Sequence, residues 1–188
     1  RPAKRGAALG LGYGGKALRV KLLLATSNPG KTREYQALLA GLAVEITTPW
    51  QEGLSLEVEE TEETLEGNAS VKARAFSHVS GLLSLADDSG LEVEALGGEP
   101  GVRTARYAGL GATDGERLAY LLLRLEGVPW ERRGAAFRCV IALAQPDGEA
   151  VLTQGEVRGI ITWEPQGDGG FGYDPVFLLP ELAKTMAE

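Results

Sequence analysis

Residues 82–98 read LLSLADDSGLEVEALGG. Leu82 to Ala86 form a short apolar run of the kind a buried strand makes, and Leu91 to Leu96 resume it with apolar and acidic residues in alternation. Asp87 and Asp88 stand between the two, and Ser89-Gly90 is expected to break the run. The pair admits two readings. Asp-Ser-Gly is turn chemistry, so the acids can be ordinary turn residues. Alternatively, they hold a metal ion and a water at the edge of the core. If residues 82–88 stay extended, neighbouring side chains point to opposite faces and the two acids cannot chelate one ion together. One would then face a cleft, and the other would pair with a cation such as Lys72.

Working outward, strand patterns alternate with helical ones. Val20 to Ala25 is an apolar run. Asn28 follows as a candidate N-cap with Pro29 at the first helical position, and Tyr35, Leu38, Leu39 and Leu42 are expected to form the buried stripe, with Gly41 ending the helix. Ala43 to Thr48 reads as a second strand. A second helix is expected over residues 62–79, with Leu65, Ala69, Ala73 and Phe76 on one face and Asn68 and Lys72, four apart, on another. Thr113 to Glu116 is a capping box that opens a third helix with a stripe at Leu118, Leu121, Leu122 and Leu125. Residues 135–145 and 150–163 read as a long hairpin around Pro146-Asp147-Gly148. Antiparallel pairs mixed with strand–helix units indicate one α/β domain with a mixed sheet.

The chain has 188 residues, enough for one domain with a substantial core and room for two lobes. Its 44% apolar and 24% charged content is that of an ordinary globular protein. No apolar run approaches the ~18 to 20 residues that span a bilayer. A net charge of −7 argues against a general nucleic-acid backbone binder, though an acidic protein can take a polyphosphate where divalent cations and local lysines bridge the repulsion. The single cysteine, Cys139, shares a strand face with Phe137, Ile141 and Leu143, so a buried structural thiol in a reducing cytoplasm is expected. Residues 1–20 are basic and glycine-rich, and are expected to be an extension before a single domain at 21–188. Gly10, Gly12, Gly15 and Lys16 match two phosphate-loop patterns by letter, but no strand pattern precedes them, as both motifs require.

Four stretches could carry chemistry. In ATSNPGK (25–31), the strand-to-helix turn offers free amides and roughly half a positive charge to an anion. Lys31 adds a full charge, and Thr26, Ser27 and Asn28 add donors. In EETEETLEGNASVKAR (59–74), acids crowd a helix start, where they are favoured in any case, while Lys72 with Asn68 makes a polar stripe able to reach a phosphate or a carboxylate. The third stretch is the aspartate pair. The fourth, GDGGFGYDP (167–175), has four glycines around Phe171, Tyr173 and Asp174, so backbone can approach a ligand closely while an aromatic ring stacks on it.

Taken together, ATSNPGKTRE, EETEETLEGNASVKAR, LADDSGLEVEALGGEPGVRTARYAG and GGFGYDPVF closely resemble the inosine triphosphate pyrophosphatases, from about Leu22 to Glu188, in order and with family spacing. The resemblance implies an elongated α/β fold with a mixed sheet flanked by helices, a cleft between two lobes, and assembly as a homodimer. It implies hydrolysis of ITP, dITP and XTP to the monophosphate and pyrophosphate, with Mg2+ required. By position it implies that Thr26, Ser27, Asn28, Pro29, Gly30 and Lys31 contact the triphosphate. Glu60 and Asp88 match metal-associated acids, Asp88 also matches the general base, and Ser89 matches a substrate contact. Lys72 and Asp87 match polar residues of the catalytic cleft, and Phe171, Gly172, Tyr173 and Asp174 match the loop that holds the purine. Asn68 joins the substrate-binding set through its place beside Lys72. The sequence departs from the family pattern at Glu62, Glu63 and Gly67. It reaches LAKTMAE at 182–188 without the lysine and Ser-His-Arg segment that grips the base in the family. The alternatives are a related pyrophosphatase for modified pyrimidine nucleotides, a nucleotide-binding protein with impaired catalysis, and nucleic-acid binding through the basic extension.

Overall fold

The computed structural model describes residues 19–188, so residues 1–18 of the expected extension, with the phosphate-loop look-alikes, lie outside the described residues, while Val20 already belongs to the first strand. Among the described residues one eight-stranded sheet carries three α-helices. In chain order these are β1 (Val20–Leu24), α1 (Pro29–Leu38), β2 (Val44–Thr47), α2 (Leu65–Ser80), β3 (Leu83–Val93), β4 (Pro100–Gly101), α3 (Asp114–Arg124), β5 (Gly134–Ala144), β6 (Val151–Ile161), β7 (Phe177–Leu179) and β8 (Lys184–Thr185). The strand order is β2-β1-β3-β5-β6-β7-β8, with β4 paired to β3. β2, β1 and β3 run parallel, while β3 to β8 are joined antiparallel, which is the mixed α/β sheet the sequence predicts.

The expected break at Ser89-Gly90 is not there. β3 runs without interruption through both acids, and Asp87, Asp88, Ser89 and Gly90 sit opposite Ile141, Val140, Cys139 and Arg138 of β5. Gly90 serves close approach rather than a turn: a Cβ at this position would lie 2.6 Å from the Gly101 carbonyl oxygen of the strap containing β4.

Alternation along β3 divides the core. Ser84, Ala86 and Asp88 point toward α2, where Ala86 joins Leu65, Ala69, Ala73, Phe76 and Val140 in one apolar cluster. Leu85 and Asp87 point toward α1, where Leu22, Leu24 and Tyr35 form a second cluster with Ile141 and Leu143. Farther along that face Leu91 and Val93 meet Leu121, Leu125, Phe177 and Ile161.

The helices start where their caps stand. Asn28 accepts from the Gly30 and Lys31 amides, Thr64 accepts from Gly67, and the capping box of α3 is complete. Thr64, rather than an earlier glutamate, sets the start of α2, so Glu62 and Glu63 precede the helix. The expected stripe of α1 is corrected: Leu38 is 75% and Leu42 58% exposed, because the helix ends at Leu38 and only Tyr35 and Leu39 reach the sheet. Gly41 lies in the following turn with φ 93°. Cys139 is half-buried rather than enclosed, and it is a free thiol.

Candidate active site

The site follows from where β1 stops. Its last pair with β3 is Leu24–Leu85, closed by a bond from the Ala25 amide to the Leu85 carbonyl, after which the chain turns away into α1. Beyond Leu85 the β1 side of β3 is open, so a crevice forms at the carboxyl ends of the parallel strands, where α/β proteins place their ligands. The cleft here has a volume of about 1380 Å³. Thr26, Ser27, Asn28, Pro29 and Lys31 line it from one side, Glu60 and Lys72 from another, and Asp88 and Ser89 form its floor. Phe171, Gly172, Tyr173 and Asp174 complete it. Four stretches scattered over the sequence are thus brought to one place.

Each acid of the pair has its own partners. Asp87, 3% exposed, is ion-paired with Lys31 and accepts from the Ser89 hydroxyl at 3.1 Å. Burial alone would lower the Lys31 pKa, but the Asp87 carboxylate, with Asp88 beyond it, reverses this and holds it above the ordinary lysine value. Asp88, on the opposite face, accepts at 2.9 Å from the Asn68 amide and at 3.1 Å from the Ser89 backbone N–H. Burial raises its carboxyl above the ordinary range; the Asn68 bond opposes this and Glu60 reinforces it. The expectation that one acid faces a cleft and its neighbour binds a lysine therefore holds, with a correction to the partner. Asp87 meets Lys31 because both lie on the α1 face, whereas Lys72 projects from α2 and pairs with Glu60 at 2.5 Å.

Two residues expected to contact ligand also make hydrogen bonds within the protein. Asn68 is 1% exposed and fully engaged, its Oδ1 taking the Glu62 N–H at 3.0 Å and its Nδ2 holding Asp88. Its geometry is that of a brace for the carboxylate. Asp174 likewise accepts from the Phe171 N–H at 2.9 Å and folds its own loop back on itself, with its carboxyl raised chiefly by burial. Phe171 lies over α1: a Cβ on Gly30 would sit 2.9 Å from the ring, so glycine at position 30 lets the aromatic settle on the helix start. The first turn of α1 carries no acid, leaving Lys31 and the helix amides as its positive end.

Several lining residues escaped the sequence reading. Glu34, Trp50, Thr104, Asp114, Arg117 and Phe137 all border the cleft. Asp114 had a visible signal, but only as part of a helix cap. Arg106 reaches from another loop to the Glu60 carbonyl at 3.4 Å, a tie that no local pattern reveals.

Comparison with known proteins places the whole described domain beside characterised relatives in sequence and fold. A family model described as the Ham1 family matches residues 22–188. The chain is 51% identical over 169 residues to a dITP/XTP pyrophosphatase of Thermus thermophilus, covering 90% of this chain and 81% of the relative. It is 49% identical over 168 residues to that of Geobacter sulfurreducens, covering 89% and 84%. Among solved structures, a HAM1 protein from Coxiella burnetii superposes with a TM-score of 0.81 at 41% identity, covering 90% of this chain and 86% of that one. The nucleoside-triphosphatase, dITP/XTP pyrophosphatase, from Mycobacterium abscessus gives 0.75 at 42% identity, covering 90% and 88%. Matched along nearly all its described length in sequence and in fold, the chain belongs to the Ham1 family.

Proposed function

We propose that this chain hydrolyses the non-canonical purine nucleoside triphosphates ITP, dITP and XTP to the monophosphate and pyrophosphate. The observation that carries the reading is Asp88: a carboxylate with a raised pKa, oriented by two hydrogen bonds, in a cleft that also receives Lys31 and Lys72. A raised carboxyl is a stronger base than an ordinary one and suits removal of a proton from an attacking water. Lys31, kept charged by Asp87, and the amides at the start of α1 would receive the phosphate oxygens. Phe171 would stack on the purine, and backbone of the glycine-rich loop would read its edge. A site that hydrogen-bonds a 6-keto edge rejects adenine by leaving polar groups unpaired.

Magnesium fits the donors present. Glu60 and Asp88 supply hard carboxylate oxygens beside Lys72. Among the described residues no group of three or more His, Cys, Asp or Glu gathers as a metal cage. Magnesium commonly binds through one or two carboxylates together with substrate phosphates. Bound there, the ion would neutralise triphosphate charge and polarise the reacting phosphoryl oxygen. We propose a second copy of the chain as partner; the β6 edge, paired to β7 only at Ile160 and Ile161 and exposing Val151, Leu152 and Val157, offers a surface for it. No helix among the described residues is long and apolar enough to cross a membrane.

The test is pyrophosphate release from dITP, XTP, dATP and dTTP with Mg2+, with Asp88→Asn as control. Turnover of dITP and XTP, falling on the order of 100-fold or more in Asp88→Asn, is expected. Faster turnover of dTTP would favour the pyrimidine reading, and tight ITP binding without turnover would favour a catalytically impaired binder.

A further inference from the structure

The loop that carries Phe171 is tied to a distant part of the chain through α3. Asp114, the first residue of α3, sends its carboxylate oxygens in two directions. Oδ2 accepts from the Gly172 backbone N–H at 3.0 Å, and Oδ1 is ion-paired with Arg117. Arg117 in turn donates to the Ala105 carbonyl at 3.0 Å and the Ala112 carbonyl at 2.5 Å. A second tie lies one residue along the loop, where the Tyr173 hydroxyl donates to the Thr104 carbonyl at 3.1 Å. Gly172 has a φ of 60°, the left-handed conformation that glycine adopts without strain. Its amide is held by the Asp114 carboxylate.

We propose that Asp114 is a positioning residue for base recognition. It latches the 171–174 loop to the turn at 104–112 and thereby sets the surface on which the purine rests. The inference rests on the purine nucleotide reading above. The competing account is that Asp114 only favours the start of α3, as an acid in a first turn does. That task already has an occupant in the Thr113–Glu116 capping box. The accounts separate on ligand dependence, because a latch on the base loop acts on ligands that possess a base, whereas loss of helix stability does not discriminate among ligands.

Full-length wild type, Asp114→Ala, Asp114→Asn and Glu116→Ala are compared with dITP as substrate and inorganic tripolyphosphate, which lacks a base, as competitive inhibitor. Asp114→Ala is expected to raise KM for dITP about tenfold, the order of one charge-assisted hydrogen bond, with kcat little changed and tripolyphosphate inhibition intact. Asp114→Asn keeps an acceptor for Gly172 and recovers most of the affinity. Glu116→Ala, which removes the acceptor for the Thr113 N–H, lowers the thermal midpoint without moving KM. An unchanged KM in Asp114→Ala, or an equal weakening of tripolyphosphate and dITP, overturns the latch. Absence of dITP turnover in the wild type counts against the proposed function instead; the same variants compared by calorimetric ITP binding then decide the latch.

Discussion

The ion pair between Lys31 and Asp87 supports a quantitative double-mutant cycle. Asp87 is 3% exposed and the Lys31 side chain 20%, so both charges are largely withdrawn from water. Removing one partner of a buried pair costs about 3–5 kcal/mol, because the other charge stays buried without compensation. The residual exposure of Lys31 places Asp87→Asn at the lower end, about 3 kcal/mol. At roughly 2–4 °C per kcal/mol for a domain of this size, the thermal midpoint falls by roughly 6–12 °C. Lys31→Met leaves Asp87 with the Ser89 hydroxyl as its remaining side-chain donor and is expected to cost a similar amount. The double variant buries no unpaired charge, and neutral replacements of buried pairs are often tolerated, so its loss should be well below the sum of the singles. Because the Lys31 pKa is raised on folding, the stabilisation is complete below the ordinary lysine value and disappears only as pH rises through the folded one. Urea unfolding at neutral pH therefore measures it in full. Additivity of the two single losses within about 0.5 kcal/mol would refute the reasoning.

Other expectations follow from the same geometry. Burial raises the Asp88 carboxyl, so ionising it costs nothing below the unfolded pKa and its full penalty is present above the folded one. Asp88→Asn should thus be more stable than wild type at neutral pH in chelator-treated buffer, with the gain shrinking as pH falls through the carboxylate range in urea titrations. Gly90→Ala drives a methyl toward the Gly101 carbonyl and should cost about 1–3 kcal/mol by chemical denaturation; an unchanged midpoint would mean the β4 strap moves freely. Trp50, 87% exposed on the cleft rim, stands apart from the Trp130–Trp163 pair, whose ring centroids lie 6.4 Å from one another. Its emission should shift when ITP binds, and Trp50→Phe should abolish that shift.

Local chemistry made much of this protein legible in its sequence. Asn28, Thr64 and Thr113 announce helices because one side chain satisfies amides two or three residues away. The opposite facing of Asp87 and Asp88 follows from the strand period alone. What stayed hidden depends on partners remote along the chain. Ser89-Gly90 looks like a turn until β5 pairs with it and the Gly101 backbone crowds it. The exposure of Leu38 depends on where α1 leaves the sheet, and the choice of Lys31 over Lys72 depends on which helix covers which face. Arg106 and Asp114 reach the site through backbone atoms, for which side-chain identity leaves no signature.

The uninterrupted course of β3 has a mechanical consequence. Ten consecutive residues, 84–93, are registered against β5, so the backbone bearing both acids can shift only if the central sheet opens. Its amides should exchange with solvent hydrogen at rates near those of global unfolding. One wall of the cleft is therefore an anvil, and compounds aimed at the acids would meet a fixed shape.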